Sequence, residues 1–173
     1  MAQKLALELV PALLEDQEVL ANLLELYIYD FTEFIPNDLN EDGRFGYPEL
    51  SSFWSDPRRT PFFAKVDGKL AGFVLIQQES PISSQLSGDS HVWDIVEFFV
   101  LRRYRRGGTG TQLAHQVWRR HPGRWQVRVR DNNLPARKFW QSTVDSFAGH
   151  PTQPSTVQID GVTWHIFSFA SHG

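Results

Sequence analysis

The chain has 173 residues, of which 41% are hydrophobic and 13% aromatic, and this composition predicts one folded domain over residues 1–173 rather than a disordered chain. The formal net charge of −3 lacks the positive excess of a general nucleic-acid binder. The absence of cysteine excludes disulfides, thiolate nucleophiles and thiolate zinc sites. No apolar run approaches the roughly 20 residues that span a bilayer, so we expect a cytoplasmic protein without membrane or nucleic-acid partners.

The first half of the chain predicts a strand, a long helix and a hairpin. Residues 4–10 alternate loosely and carry branched side chains, which favours a strand, and apolar residues then recur at helical spacing over residues 12–35. Residues 37–61 are polar and rich in turn formers, with scattered aromatic side chains, and we interpret them as a cover or lid. The two apolar runs of residues 62–78 meet at an Asp-Gly pair, which predicts a β-hairpin.

The second half of the chain alternates strands and helices. After a predicted loop over residues 80–90, the apolar patterns predict a strand, a helix, a strand, a short helix and a hairpin, over residues 91–101, 109–121, 124–130, 134–143 and 157–169. This order predicts an α/β (α+β) domain with a mixed central sheet. The terminal hairpin offers an edge strand at which a homodimer could form.

A glycine-rich turn, RRYRRGGTG, follows directly on the strand that ends near residue 101. Glycines in such a turn adopt positive φ and let the backbone approach a ligand, and the amides of the following helix carry the positive end of its dipole. With arginines around it, the turn predicts a phosphate site, and a diphosphate in particular. It is not a Walker loop, because Thr111 and Gln112 follow Gly110, nor a dinucleotide-binding turn, because Leu113 stands where glycine or alanine is needed.

Two short motifs stand in order, one in this turn and one at the start of the helix after the next strand. The first is RxxGxG at Arg105, Gly108 and Gly110, and the second is NLPARKFW, which begins at Asn133. They resemble the (Q/R)xxGx(G/A) and NxxAxxFY motifs of the GNAT superfamily of acyl-CoA dependent N-acetyltransferases, with Trp140 in place of the tyrosine. The resemblance implies a GNAT-like fold: a mixed, mostly antiparallel twisted sheet flanked by helices, with a splayed strand at the CoA site.

The resemblance also implies an enzyme that moves the acetyl group of acetyl-CoA, without a metal, to a primary amine of a small molecule or peptide. By residue matching, the main chain at the end of the strand would pair with pantetheine, with the Val100 amide at the thioester oxygen. The turn amides would hold the diphosphate, and Asn133 would contact the cofactor. The complete predicted set is Phe99, Val100, Leu101, Arg105, Arg106, Gly107, Gly108, Thr109, Gly110, Thr111, Asn133, Ala136 and Phe139.

Glu97 is the first candidate for the catalytic base, because members of the family often carry a carboxylate or histidine on this strand. It lies in the apolar stretch IVEFFV, where burial would raise its pKa towards neutrality. The alternative is a carboxylate that faces solvent or pairs with an arginine. Asp94 is the reserve candidate. The acid that would protonate the CoA thiolate is unassigned, because the indole of Trp140 has no proton to give.

The acceptor site is predicted from position and composition alone. Aromatic and acidic side chains of the first helix and the following segment would line a cavity for a cationic amine: Tyr27, Asp30, Phe31, Tyr47 and Trp54. Residues 38–49, DLNEDGRFGYPE, also match the EF-hand loop pattern, which by itself would predict calcium. Pro48 directly before the would-be ligand Glu49, and the lack of a partner hand, favour a solvated loop near the acceptor site without a metal.

Two other functions remain open at this stage. One is a regulatory module that binds acyl-CoA without catalysis, which the replacement at Trp140 makes conceivable. The other is an anion-binding interaction domain with no specificity for CoA. An enzyme would release CoA with some amine and lose rate in Glu97→Gln, a non-catalytic module would bind acetyl-CoA without turnover, and the interaction domain would be competed equally by simple phosphates.

Overall fold

The structure, a computed structural model, describes residues 6–79 and 91–173 of the chain. The predicted loop over residues 80–90 and the first residues of the predicted strand 4–10 lie outside the described residues. The strands are β1 (Leu7–Pro11), β2 (Arg59–Val66), β3 (Lys69–Gln78), β4 (Val92–Val100), β5 (Gly123–Arg130), β6 (Ser155–Ile159) and β7 (Val162–Ser171), and the helices are α1 (Gln17–Phe31), α2 (Ser52–Ser55), α3 (Thr109–Arg120) and α4 (Leu134–Ala148). Within this part of the chain, no helix is long and apolar enough to cross a membrane.

The strands form one mixed sheet in the order β1-β2-β3-β4-β5-β7-β6. β1 runs antiparallel to β2, and β7 runs antiparallel to both β5 and β6, whereas β4 and β5 are parallel. The parallel ladder extends only from the pair Val92–Arg124 to the pair Asp94–Gln126, although both strands continue beyond it. The mixed sheet with its flanking helices confirms the predicted fold class.

The chain forms two compact units, and the first consists of the residues up to Leu75 together with Glu97–Thr109. In this unit α1 buries Leu20, Leu24 and Tyr27, which lie on one face because their spacing follows the helical period. The ring of Tyr27 packs against Phe73 of β3, with 5.6 Å between ring centroids. This packing holds the first helix against the strand residues of its own unit.

The second unit consists of Ile76–Val96 and Gly110–Gly173. Its core is centred on Trp118 of α3, which is fully buried and lies 4.6 Å from the ring of Phe169 in β7. Trp118 also packs against Trp140 of α4, at 6.2 Å between ring centroids. Both helices are therefore fixed by aromatic contacts.

Several helix boundaries differ from the prediction, among them the end of α1, which lies at Phe31 instead of residue 35. Helix α1 begins at Gln17 instead of residue 12, because the Leu13 amide donates to the Asp16 carboxylate at 2.8 Å and a 3-10 turn precedes the helix. Helix α4 continues to Ala148 instead of residue 143, and Gly149 ends it with φ of 77° in the left-handed region that favours glycine. The apolar period alone does not reveal such caps.

Candidate active site

The glycine-rich turn connects the end of β4 to the start of α3. Arg106 and Gly108 both have left-handed backbone, with φ of 67° and 80°. Left-handed residues at short spacing turn successive amides towards one side and form concave anion-binding backbone. Helix α3 begins at Thr109, so its first amides and the positive end of its dipole follow directly. The turn has the backbone features expected of a phosphate site.

Asp30 at the end of α1 is tied to the arginines that precede this turn. Its two carboxylate oxygens accept hydrogen bonds from Arg102 at 2.7 Å and Arg105 at 2.6 Å. Burial opposes ionisation of Asp30, but the hydrogen bonds from Arg105 and Arg102 outweigh it and lower the pKa. The Arg105 guanidinium also donates to the Val100 carbonyl at 2.6 Å. Asp30 therefore supports the turn, and its predicted contact with the acceptor stays a prediction.

The end of β4 lies very close to β3 in the first unit. The Leu101 amide donates to the Ala71 carbonyl at 2.8 Å. A methyl group on Gly72 would stand 2.0 Å from the Phe99 carbonyl oxygen, so only glycine allows this approach. The pairing of pantetheine with the main chain of Phe99–Leu101 stays a prediction, and Gly72 is a supporting residue that the sequence reasoning missed.

Glu97 accepts hydrogen bonds from two phenols. The hydroxyl of Tyr27 donates to one carboxylate oxygen, and the hydroxyl of Tyr47 donates to the other at 3.0 Å. Burial, followed by the charge of Glu97 and its hydrogen bond, raises the pKa of Tyr27 well above its usual value. The same causes raise the pKa of Tyr47. Both phenols therefore keep their protons, and the carboxylate is the acceptor.

Aromatic rings pack against Tyr27, the first of these two phenols. Tyr27 lies 4.7 Å from Phe31 and 5.9 Å from Phe99, measured between ring centroids. The structure thus brings together five of the predicted residues: Tyr27, Phe31, Tyr47, Glu97 and Phe99. Trp54 is engaged elsewhere, because its indole nitrogen donates to the Ala12 carbonyl at 3.0 Å.

Asp94, the reserve base, lies in the second unit and is fully buried. Arg128 donates to both of its carboxylate oxygens, from Nε at 3.3 Å and from Nη2 at 2.6 Å. A bidentate guanidinium satisfies a buried carboxylate and holds it ionised. This geometry indicates a structural role for Asp94. A catalytic role for Asp94 stays a prediction.

The second motif forms the beginning of α4. The Asn133 side chain caps the helix by accepting from the Ala136 amide at 3.1 Å, and Asn133 is buried. Trp140 is also buried and packs against Phe139, with 4.8 Å between ring centroids. Across the unit, the hydroxyls of Thr111 and Thr143 lie 3.1 Å apart. Cofactor contacts from this motif stay predictions.

The EF-hand-like segment, residues 38–49, contains hydrogen bonds between one of its side chains and its own backbone. The Asn40 side-chain oxygen accepts from the amides of Asp42 and Arg44, each at 3.0 Å. Glu49, the would-be bidentate ligand, instead lies 3.4 Å from the Arg59 guanidinium. Over residues 6–79 and 91–173, no three His, Cys, Asp or Glu side chains are grouped so that they could hold a metal ion.

Comparisons with known proteins agree with the predicted family. A family model described as the acetyltransferase (GNAT) family matches residues 20–144. No curated protein matches the chain in sequence. An acetyltransferase from Thermus thermophilus superposes with a TM-score of 0.68 at 17% identity, covering 95% of this chain and 97% of that one.

Two further solved structures contain bound ligands. The NAA60 protein of Arabidopsis thaliana, in complex with acetyl-CoA, has a TM-score of 0.59 at 17% identity, with 97% of this chain and 100% of that chain covered. Spermidine N-acetyltransferase from Vibrio cholerae, in complex with CoA and spermine, has a TM-score of 0.61 at 14% identity, with 95% of each chain covered. At these identities the likeness shows the fold.

The family match covers well over half of the chain and agrees with the predicted motifs and the mixed sheet. It confirms the prediction of an acetyltransferase of this family. The chain belongs to the acetyltransferase (GNAT) family.

Proposed function

We propose that the protein transfers the acetyl group of acetyl-CoA to a primary amine of a small molecule or peptide, with Glu97 as the base. The observation that carries the proposal is the carboxylate of Glu97, which lies on β4 among aromatic rings and accepts hydrogen bonds from Tyr27 and Tyr47. A carboxylate in an aromatic setting attracts a cationic amine and can also take its proton. The fold likeness to a spermidine N-acetyltransferase fits an amine acceptor.

The turn between β4 and α3 would bind the diphosphate of acetyl-CoA through its backbone amides. The left-handed Arg106 and Gly108, and the start of α3 at Thr109, support this role. Asp30 would hold Arg102 and Arg105 in place beside the turn. Binding here would anchor the donor while its acyl end reacts near Glu97.

In the reaction, the nitrogen of the neutral amine attacks the carbonyl carbon of the thioester. A C–N bond forms, the C–S bond breaks, and CoA leaves as the thiolate. Glu97 accepts the proton that the nitrogen loses, directly or through a water molecule. Since Trp140 is buried and has no acidic proton, the thiolate departs without help from that position.

Calorimetric titration with acetyl-CoA tests the first half of the proposal, with CoA and free diphosphate as controls. We expect binding on the order of micromolar that is lost in Gly108→Glu, because φ of 80° and the anion both disfavour glutamate there. No binding of acetyl-CoA, or equal competition by diphosphate, would sink the proposal.

A screen of amines for CoA release tests the second half. We expect Glu97→Gln to lower kcat by about 100-fold while acetyl-CoA still binds, because the base is lost and the shape is kept. Glu33→Gln, at an exposed position, is the control and should keep the wild-type rate. Binding without turnover of any amine would identify the non-catalytic module instead, which the buried Trp140 favours.

The predicted cytoplasmic location and homodimer stay predictions. The edge strand β6, Ser155–Ile159, pairs with β7 and is the place at which a second copy would add a strand.

A further inference from the structure

One carboxylate of α1 holds the segment that carries Tyr47. The two oxygens of Glu25 accept hydrogen bonds from two successive backbone amides, Phe45 at 2.7 Å and Gly46 at 2.9 Å. The Glu25 side chain is only 22% exposed, and Arg44 lies 3.8 Å from it. Hydrogen bonds to an ionised acceptor in a partly buried place are stronger than those between neutral groups. The segment is therefore fastened to α1 at this point.

Tyr47 directly follows the two residues whose amides Glu25 accepts. Gly46 has φ of 75°, a left-handed turn, and the phenol of the next residue reaches Glu97 at 3.0 Å. On the N-terminal side of Phe45, the Asn40 side chain accepts hydrogen bonds from the amides of Asp42 and Arg44 and so fixes the path of the chain. The position of the Tyr47 hydroxyl is thus set by contacts on both the segment and the helix.

The choice of glutamate fits this task. A carboxylate has two equivalent acceptor oxygens, which match two successive N–H groups. A carboxamide has one acceptor oxygen and would direct its own N–H towards the second amide. Glutamine at this position would therefore keep one hydrogen bond and lose the other.

We propose that Glu25 is a positioning residue for the acetyl transfer, because it fixes residues 45–46 and so places the Tyr47 hydroxyl on the carboxylate of Glu97. Glu25 acts through Tyr47 and touches neither donor nor acceptor. The inference rests on the proposed function, in which Glu97 takes the proton of the amine. Without the hydrogen bonds from Phe45 and Gly46 to Glu25, the hydrogen bond from Tyr47 to Glu97 is lost. Of the two phenols, only Tyr27 then donates to the Glu97 carboxylate.

The kinetic test compares Glu25→Ala, Glu25→Gln, Tyr47→Phe and the double variant Glu25→Ala with Tyr47→Phe. We expect Glu25→Ala to lower kcat about tenfold through misplacement of the base, with the KM for acetyl-CoA within about twofold of wild type. Glu25→Gln should fall between wild type and Glu25→Ala. The double variant should be no slower than Tyr47→Phe within about twofold, because both changes remove the same hydrogen bond.

A second measurement reads the placement of Tyr47 without any turnover. The chain has four tyrosines, so fluorotyrosine labelling gives a ¹⁹F NMR spectrum with few signals, and Tyr47→Phe identifies the signal of Tyr47. We expect Glu25→Ala to move that signal towards the position of an exposed tyrosine and to leave the signals of Tyr29 and Tyr104 where they are. The signal of Tyr27, which is buried, should stay apart from the exposed position and so also show that the variant is folded. Glu18→Ala, which removes an exposed carboxylate from the same helix, is the matched control and should change neither rate nor spectrum.

The outcomes separate the inference from the function on which it rests. An unmoved Tyr47 signal in Glu25→Ala, or a double variant whose loss of rate is the product of the two single losses, overturns the role of Glu25. If the wild-type protein acetylates no amine, the proposed function fails, and the NMR spectrum still decides whether Glu25 places Tyr47.

Discussion

Two tyrosines from different parts of the chain meet at Glu97. Tyr27 comes from α1 and Tyr47 from the segment after it, and each donates to a different oxygen of the carboxylate. Their pKa values are raised by burial first and by the negative charge of Glu97 second. The three groups therefore form one hydrogen-bonded unit in which both phenols keep their protons and donate to the carboxylate.

The raised pKa of Tyr27 predicts a pH dependence of stability on the alkaline side. In the unfolded chain the phenol ionises near pH 10, whereas in the folded protein it holds its proton, so the folded state binds more protons and stability falls as pH rises above about 10. Below that pH the phenol adds no slope. The free energy of unfolding in urea, measured between about pH 9 and pH 11, should lose about 1.4 kcal/mol per pH unit from this group once it ionises in the unfolded chain.

Tyr27→Phe should remove that part of the slope. Tyr29→Phe is the matched control on the same helix, since Tyr29 is 65% exposed, and it should leave the slope as it is. The same alkaline slope in wild type and Tyr27→Phe would contradict the assignment.

Asp94 shows how a buried charge depends on its partner. Arg128 donates to both carboxylate oxygens of Asp94, whose side chain is 0% exposed. Removing one partner of such a pair leaves the other charge buried and uncompensated. Asp94→Ala should therefore lower the free energy of unfolding by about 3–5 kcal/mol, as measured by chemical denaturation.

The double variant Asp94→Ala with Arg128→Met should recover a large part of this loss, because it removes the stranded charge. Glu49→Ala is the control at an exposed ion pair and should change the free energy of unfolding by less than about 0.5 kcal/mol. If Asp94→Ala keeps full stability and loses only activity, Asp94 is a catalytic rather than a structural residue.

At the scale of the elements, the end of β4 is the part that positions the site. It carries Glu97, continues into the glycine-rich turn, and lies against Gly72 of β3 with no room for a side chain. The ladder of β4 with β5 ends at Asp94 and Gln126, so the second half of β4 is supported from the β3 side. The geometry of the candidate base and of the turn both depend on this contact.

Gly72→Ala is expected to destabilise the fold. Its methyl group would stand 2.0 Å from the Phe99 carbonyl oxygen, and because that atom is backbone the strands must separate. The free energy of unfolding should fall by about 1–3 kcal/mol, measured by chemical denaturation. Gly107→Ala is the control for stability, because its methyl group would meet nothing within 4 Å. Equal stability of the two variants would show that β3 and β4 can yield at this point.

At the scale of the whole molecule, the net charge of −3 contrasts with the cluster of arginines beside the turn. In the proposed function, these arginines would attract the anionic donor to one place rather than to the surface at large. Both β3 and β4 contribute residues to each of the two compact units, so the covalent chain passes between the units within its strands. We propose that residues 1–173 unfold as one domain.

A calorimetric melting scan tests this proposal together with donor binding. We expect one cooperative transition, and acetyl-CoA at about 100 times its dissociation constant should stabilise the protein by about 2.7 kcal/mol. That gain raises Tm by roughly 5–10 °C for a chain of this size. Gly108→Glu should show the same single transition without the rise. Two transitions, of which acetyl-CoA moves one, would contradict a single domain.

The glycine-rich turn, the hairpins and the order of the elements were predictable from the sequence because their signals are local. The Asp-Gly pair of residues 67–68 has the positive φ values that a tight hairpin needs, and Gly108 has one in the turn. The residues of the RxxGxG motif lie within a few positions of one another along the chain, as do those of the NxxA motif, so the spacing inside each motif can be read directly. The cap made by Gly149 is equally local, but the apolar period does not reveal it, so the predicted helix ends at residue 143 whereas α4 continues to Ala148.

The surroundings of the candidate base were decided by the tertiary structure alone. Tyr27 and Tyr47 are 70 and 50 residues away from Glu97 along the chain, and Glu25 reaches the backbone about 20 residues further on. The hydrogen bonds of Asp30 to Arg102 and Arg105 join the end of α1 to residues more than 70 positions further along the chain, whereas its predicted contact with the acceptor stays a prediction. The sequence by itself determined the kinds of elements and the glycine-rich turn, because these follow from neighbours along the chain. Which phenols meet the carboxylate follows from burial of one shared core, and only the folded chain brings those residues together.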